Sequence, residues 1–193
     1  MGVEDAIGGE TELRRYALTV EDFLRLDEAG AFAEVGRVEL IDGEIFELSP
    51  VYSQHAYVLS RTISSLQSAV DAGQVDAAVL SPVSLKIDEH NLPLPDVLVA
   101  PLPQGNVPID ADMVLIAVEV SSSTLRHDLV RKALIYSRRG IPEYWVIDVA
   151  GRQLHQLTDP MPEGYATRDV VPFGARVVSK KVPEIALDTS AFG

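Results

Sequence analysis

Two carboxylates in this sequence lie in apolar segments, where an ionised side chain is costly to bury. Glu119 lies near the end of the apolar run at residues 113–120, and Asp96 begins the apolar segment 96–100. An unpaired carboxylate in such surroundings is strongly destabilised, so Glu119 needs a nearby cation or a proton. If the two segments are neighbouring strands, these carboxylates predict an oxygen-ligand site for Mg²⁺ or Mn²⁺. In the alternative interpretation, each acid ends a strand and accepts backbone hydrogen bonds or pairs with an arginine.

Lys132 is the candidate cation for this site. Only 4 of the 16 basic residues are lysines, and Lys132 lies in the arginine-rich stretch 126–139. An ammonium group can orient a metal-bound water, or lower its pKa, without forming the bidentate fork of an arginine. Helical spacing also places Lys132 on the same face as Asp128, so the alternative is an ordinary ion pair four residues apart.

Glu39 and His55 are weaker candidates when judged from their positions alone. Glu39 lies in an alternating strand with Val38 and Leu40 on the opposite face, which predicts a solvent-facing acid. His55 lies at the start of a helical pattern, where it either contributes to a site or caps the helix and faces solvent.

The elements that would position these residues alternate between helix and strand patterns. Thr19 is a good N-cap, Asp42-Gly43 is a strong hairpin signal, and apolar residues three and four apart predict a helix after Ser53. The predicted helices span residues 19–29, 53–72 and 122–139. The predicted strands span residues 37–48 as a hairpin, 77–87, 96–100, 113–120, 143–149, 152–158 and 165–171. This order predicts an α/β fold, a mixed β-sheet with helices packed on it.

Composition limits the classes of protein to which the chain can belong. The 193 residues carry a net charge of −13 and contain no cysteine, which excludes thiolate zinc sites, disulfides and cysteine nucleophiles. The longest apolar run, residues 113–118, is far shorter than a membrane span, so we expect no membrane partner. The absence of a basic-then-apolar leader favours a cytoplasmic protein. We expect a flexible tail at residues 1–15 and one domain at 16–193.

The charge distribution bears on nucleic-acid binding. A net charge of −13 argues against broad electrostatic attraction to DNA, which requires Lys and Arg on the bound face. The stretch 126–139 nevertheless contains five basic residues and one acid. It is interpreted either as a solvated helix face with a basic C-terminal end or as a local phosphate-binding surface.

Six motifs in this sequence occur in the order found in one known family. They are Arg37-Val-Glu-Leu-Ile-Asp-Gly-Glu44, His55 in the next helix, Leu94-Pro-Asp-Val97, Ala117-Val-Glu-Val-Ser-Ser-Ser-Thr124, Asp128-x-x-x-Lys132-x-x-x-Tyr136 and Gly140-Ile-Pro-Glu-Tyr-Trp-Val-Ile-Asp148. On these motifs the chain resembles the Uma-two family of restriction-endonuclease-like proteins, within the PD-(D/E)XK nuclease superfamily. The resemblance runs from about Leu18 to Asp148.

The resemblance implies roles for particular residues. Asp96 and Glu119 would be metal ligands, helped by the Val120 carbonyl, and Glu39 matches an additional N-terminal acid. The superfamily motif places its lysine two residues after Glu119, where this chain has Ser121. The resemblance implies that Lys132, on the following helix, takes that place.

Four further residues are candidates for substrate binding. The helix that follows Glu119 would bring basic side chains near a phosphate backbone, and His55 falls within a family motif. The candidates are His55, Arg126, Asp128 and Arg131.

The implied activity is divalent-metal-dependent hydrolysis of DNA phosphodiester bonds by an endonuclease that uses Mg²⁺ or Mn²⁺. Two alternatives stay open: a catalytically inactive nuclease-fold protein that binds DNA or protein, and a metal phosphodiesterase that acts on small molecules. Strands after Asp148 that are exposed at a sheet edge could pair across a two-fold axis, so we expect a homodimer.

Overall fold

In a computed structural model of the protein, residues 14–192 are described. The predicted flexible tail at residues 1–15 therefore lies outside the described part, apart from Arg14 and Arg15. The described helices are α1 (Val20–Glu28), α2 (Ser53–Gly73) and α3 (Ala133–Arg139), with 3-10 turns at Ala111–Met113 and Thr189–Phe192 and a π turn at His127–Lys132. The strands are β1 (Val38–Ile41), β2 (Glu44–Glu47), β3 (Ala78–Leu80), β4 (Leu85–Lys86), β5 (Val97–Ala100), β6 (Ile109–Asp110), β7 (Ile116–Ser121), β8 (Glu143–Asp148), β9 (Gln153–Met161), β10 (Gly164–Pro172), β11 (Arg176–Val178) and β12 (Ala186–Asp188).

A six-stranded mixed sheet forms the centre of the fold, in the order β10-β9-β8-β7-β5-β3. The neighbours β7 and β8 are parallel, and the other pairs are antiparallel. All six residues of β7 are buried, as expected for a strand covered on both faces. The predicted α/β fold, a restriction-endonuclease-like mixed sheet flanked by helices, is confirmed. β10 lies at one edge of the sheet, and its pairing in a homodimer stays a prediction.

Alternation along the central strands decides which side chains meet which helix. On one face, Val97, Val99, Val118 and Val120 pack against α2. On the other face, apolar side chains of the sheet pack against Ala133, Ile135 and Tyr136 of α3: Leu98, Ala117, Tyr144 and Val146. Because side chains alternate along a strand, Glu119 lies on the α3 face with Ala117.

Local signals correctly predicted the first two elements. Thr19 and Asp22 form a capping box at the start of α1. β1 and β2 form the expected hairpin, in which Asp42 and Gly43 both adopt positive φ, at 51° and 74°. A two-residue turn with this backbone matches the twist of the paired strands, and glycine adopts it without steric cost.

Several predicted boundaries differ from the structure. The strand predicted at 77–87 is two short strands in different sheets, β3 and β4, separated by a segment containing Pro82, which has no N–H to donate to a ladder. The strand predicted at 113–120 begins at Ile116, because the Asp110 side chain accepts a hydrogen bond from the Asp112 N–H and starts a 3-10 turn. The helix predicted at 122–139 contains the π turn before α3.

The C-terminal segment, which carried no predicted β-strand, returns to the start of α2. β11 and β12 pair, and the following 3-10 turn brings Phe192 against Phe173, with ring centroids 5.1 Å apart and planes at 80°. The Tyr57 hydroxyl of α2 donates to the Ala191 carbonyl at 3.1 Å. Within residues 14–192, no helix combines the length and the apolar character that a membrane span requires.

Candidate active site

A pocket of about 100 Å³ lies where β1, β7, the start of α2 and the π turn meet. Most of the residues predicted from the sequence line it. These are Glu39, His55, Asp96, Glu119, Val120, Asp128 and Lys132.

Strand register makes Asp96 and Glu119 neighbours. β5 and β7 are antiparallel with Val97 opposite Val118, and the same register places Asp96 opposite Glu119. The Asp96 Oδ2 atom accepts a hydrogen bond from the Val120 N–H at 2.8 Å, which fixes its carboxylate at the strand end. The condition for an oxygen-ligand site, that the two acids lie on neighbouring strands, is therefore met.

Lys132 connects two of the carboxylates. Its Nζ atom lies 3.0 Å from Glu119 Oε1 and 2.9 Å from Glu39 Oε2, and all three side chains are buried. Burial alone would lower the pKa of Lys132, but the charges of Glu119 and Glu39 outweigh it and raise that pKa above its ordinary value. Lys132 is therefore a fixed positive charge at neutral pH, and among the described residues its ion pairs are with Glu39 and Glu119, not with Asp128 four residues before it.

Glu39 does not face solvent, contrary to the prediction from strand alternation. It is 2% exposed, because β1 is buried on both faces, and β1 also forms an antiparallel bridge between Leu40 and Leu92. The Leu94 N–H donates to Glu39 Oε2 at 3.2 Å. Burial raises the pKa of Glu39, but a hydrogen bond from His127 and the charge of Lys132 lower it below its ordinary value.

Glu119 has the opposite electrostatic balance. Burial raises its pKa well above the ordinary range, Lys132 opposes this shift, and the charges of Asp96, Asp128 and Glu39 reinforce it. The charges of Glu119, Glu39 and Asp128 thus act on one ammonium group, and Asp96 adds a fourth carboxylate next to Glu119. Like charges on opposed strand positions are destabilising, so the cluster favours a further positive charge.

The donor set fits a hydrated divalent cation. Within residues 14–192, no group of three or more His, Asp or Glu side chains is placed so that it could hold a metal ion by itself. Mg²⁺ is commonly bound by one or two carboxylates and retains several waters, so a complete cage is not required. The carboxylates of Asp96 and Glu119, with the Val120 carbonyl, fit that mode of binding.

His55 points into the pocket and neither caps α2 nor faces solvent. Its Nε2 atom lies 3.4 Å from Asp96 Oδ2, and 14% of its side chain is exposed. Its Nδ1 atom is buried and has no hydrogen-bond partner among the described residues.

Asp128 lines the pocket from the π turn and accepts a hydrogen bond from Thr124 Oγ1 at 2.7 Å. Burial raises its pKa above the ordinary value. The folded protein therefore holds this proton more tightly than the unfolded chain, and the resulting contribution to stability is lost as pH rises through the folded pKa. We expect Asp128→Asn, which keeps the size but cannot ionise, to become increasingly stable relative to the parent as pH rises.

Urea unfolding of Asp128→Asn and the parent between about pH 4 and pH 8 would measure this difference. Asp76→Asn, at an exposed acid, is the matched control. A stability difference that stays constant across this range would contradict the prediction.

Two predicted substrate-binding residues lie outside the pocket. Arg131 forms ion pairs with Asp42 at 3.1 Å and Glu44 at 3.2 Å, and its guanidinium lies over the Phe46 ring. These contacts of Arg131 hold the π turn against the β1–β2 hairpin. Arg126 is exposed and does not line the pocket.

Two residues that the sequence did not identify as site residues contact the acids of the site. The Tyr136 hydroxyl lies 3.4 Å from Glu119 Oε1, and His127 Nε2 lies 3.7 Å from Glu39 Oε1. Tyr136 follows Lys132 by four residues, a helical spacing that could have revealed it. His127 had no such signal, because its orientation depends on the π turn. The rim also includes Arg37 and Tyr52.

Comparisons with known proteins agree with this architecture. A crystal structure from Anabaena variabilis, of a protein titled "a putative nuclease belonging to DUF820", superposes with a TM-score of 0.67 and 19% sequence identity. The match covers 91% of this chain and 97% of the other, and at this identity it shows a shared fold. The comparison with curated proteins found no match.

The family comparison covers the whole of the candidate site. A family model described as "Uma2: Putative restriction endonuclease" matches residues 20–190, from the start of α1 to the final 3-10 turn. That range includes every element that lines the pocket. The chain therefore belongs to the Uma2 family.

Proposed function

We propose that this protein is a divalent-metal-dependent endonuclease that hydrolyses DNA phosphodiester bonds. One observation carries the proposal: the buried ammonium of Lys132 contacts both Glu119 and Glu39, beside the acid that strand register pairs with Glu119. Glu39 and Glu119 would suffice as partners if this ammonium served stability alone. The additional carboxylate of Asp96, 15% exposed at the pocket wall, favours a site for a cation and a phosphate.

Mg²⁺ or Mn²⁺ would be held by Asp96, Glu119 and the Val120 carbonyl, and would supply charge neutralisation for the phosphate and a more acidic bound water. The chain's own residues would orient these groups. The Val120 N–H fixes Asp96, and Lys132 holds one oxygen of Glu119 in place.

Lys132 would act as an electrostatic group and not as a proton acceptor. Its raised pKa keeps it protonated at the pH of the cell, so it has no free electron pair with which to accept a proton. A preorganised buried cation can instead stabilise the negative charge that develops on a phosphate in the transition state. Glu39 would position Lys132 through their 2.9 Å contact.

The size of the pocket favours a polymeric substrate over a small molecule. Its volume of about 100 Å³ is well below the roughly 300–1,000 Å³ of pockets that enclose whole ligands. A phosphate group could enter while the attached nucleosides remain outside, next to rim residues such as Arg37. The net charge of −13 predicts weak binding to DNA, which is best measured at low salt, where attraction between the phosphates and basic side chains is strongest.

Cleavage of circular DNA would test the proposed function. We expect purified protein to nick plasmid or circular single-stranded DNA at low salt with Mg²⁺ or Mn²⁺, and to be inactive with a chelator. Circular substrates have no ends, so cleavage requires an endonuclease. Glu119→Gln removes the charge of one ligand and should lose activity, whereas Glu47→Gln, at an exposed acid of the hairpin, should retain it.

Equal cleavage by Glu119→Gln and the parent would reject this site as the catalytic centre. Hydrolysis of a chromogenic phosphodiester by a parent protein that leaves all DNA intact would instead identify a small-molecule phosphodiesterase.

A further inference from the structure

A second groove lies beside the candidate active site, across the first turn of α2. It has a volume of about 280 Å³ and includes Ser53, Gln54 and Tyr57, whereas Tyr52 and His55 of the same segment line the active-site pocket. One helical turn therefore separates the two concavities. A chain whose phosphate lies in the pocket could continue directly into the groove.

The groove presents aromatic surfaces in fixed positions. Phe173 and Phe192 pack edge to face, and the Arg152 guanidinium lies 5.7 Å from the centre of the Phe173 ring. Tyr57 is 53% exposed, while its hydroxyl is anchored to the Ala191 carbonyl. The ring of Tyr57 is thus held at one end and leaves apolar surface available to a flat partner.

The groove differs from most of this acidic chain. Among the described residues, its lining includes no Asp or Glu side chain, although the whole chain has 29 acidic and 16 basic residues. An aromatic surface without Asp or Glu side chains suits a partner that is flat, apolar on its faces and linked to phosphates. Tyr52, 72% exposed at the rim of the neighbouring pocket, extends the aromatic surface towards the candidate catalytic residues.

We propose that this groove binds an unpaired nucleotide by stacking its base on Tyr57, so that the preferred substrate of the enzyme is single-stranded DNA. The inference rests on the proposed nuclease function and specifies its substrate. Bases within a duplex are stacked on both faces and reach such a ring only after unstacking, which costs free energy. Single strands offer their bases without that cost.

Binding of a short fluorescent single-stranded oligodeoxynucleotide, measured by anisotropy at low salt in the presence of a chelator, tests this proposal without cleavage. We expect Tyr57→Ala to raise the Kd about tenfold, within the range measured for loss of one base–aromatic stack. Tyr57→Phe keeps the ring but loses the hydroxyl that anchors it, so it should bind more weakly than the parent and more tightly than Tyr57→Ala. Tyr16→Ala, at a 77% exposed tyrosine outside both concavities, controls for the loss of an exposed ring.

The same measurement with abasic nucleotides in the oligonucleotide identifies the contact. Removing the base that stacks on Tyr57 should weaken binding by the parent but not by Tyr57→Ala. The abasic site and the Tyr57→Ala substitution each remove the same interaction, so their effects should not add. Equal Kd values for the parent and Tyr57→Ala would overturn the proposal, as would duplex DNA that binds as tightly and depends equally on Tyr57.

Cleavage assays separate this inference from the proposed function. If the parent cuts DNA only with metal and Tyr57→Ala binds the oligonucleotide as tightly as the parent does, nucleotide binding in the groove is overturned and the proposed nuclease function stands. If oligonucleotide binding depends on Tyr57 but the parent cuts no DNA, nucleotide binding in the groove is supported and the proposed nuclease function is overturned.

Discussion

Lys132→Met is expected to abolish DNA cleavage and to lower the free energy of unfolding by about 3–5 kcal/mol. The substitution keeps most of the side chain's length while removing the ammonium that contacts Glu39 and Glu119. Both carboxylates would then be buried without their main positive partner. We expect cleavage to fall by at least about 10²–10³-fold, the loss typical when one preorganised charge-stabilising group is removed.

Urea unfolding and plasmid nicking on the same preparations would measure the two effects. Lys86→Met, at an exposed lysine of β4, should change neither. Lys132→Arg should not restore activity, because a planar fork with five donors does not fit the space of a single ammonium group. Cleavage by Lys132→Met at the parent's rate would exclude Lys132 from the reaction.

A double variant separates the structural contribution of Lys132 from its catalytic one. Glu39→Gln/Lys132→Met removes one of the two uncompensated carboxylates, so we expect it to regain part of the lost stability. Its cleavage should remain absent, since the positive charge is still missing. If stability and activity instead recover together, the loss in Lys132→Met was caused by misfolding.

Local sequence signals predicted much of the fold, because turns, caps and buried strands depend on neighbouring residues. The Asp42-Gly43 hairpin and the buried strand β7 are examples. β4 was predicted only as the end of a longer strand, and β6 was not predicted: each has two residues, and their parallel pairing joins distant parts of the chain. Two residues contain too little periodicity for a pattern to be detected.

The candidate site likewise contains some residues that local sequence predicts and others whose positions depend on tertiary packing. Glu119 could be singled out because a carboxylate in an apolar strand is itself a local anomaly. The burial of Glu39 could not be predicted from alternation, since it depends on the bridge from Leu40 to Leu92 and on Lys132 arriving from another element. The basic character of Arg131 is local, whereas its ion pairs with the hairpin depend on tertiary packing.

Asp96→Asn is expected to eliminate cleavage while making the metal-free protein at least as stable as the parent. The Asn side-chain oxygen can still accept the hydrogen bond from the Val120 N–H, so the strand end keeps its geometry. The substitution also removes the negative charge that raises the pKa of Glu119. Loss of the repulsion between Asp96 and Glu119 favours the folded state. Loss of the negative charge of Asp96, one of the proposed ligands, weakens binding of the cation.

Thermal unfolding with and without Mn²⁺ distinguishes these two consequences. A ligand that binds only the folded protein stabilises it by about 2.7 kcal/mol at a concentration of 100 times its Kd, so the Tm of the parent should rise with Mn²⁺. Asp96→Asn should show no such rise and should start from an equal or higher Tm. Asp27→Asn, at an exposed acid of α1, should respond to Mn²⁺ as the parent does.

Neutralising Asp96 should affect the stability of the metal-free protein and the binding of metal in opposite directions. A carboxylate retained for stability should destabilise the metal-free protein when it is neutralised, whereas one retained for metal binding should not. An inactive Asp96→Asn with a lower metal-free Tm would therefore favour a structural role. Unchanged or increased metal-free stability, combined with loss of the Mn²⁺ response, would mean that the repulsion between Asp96 and Glu119 is tolerated in the fold because a cation relieves it.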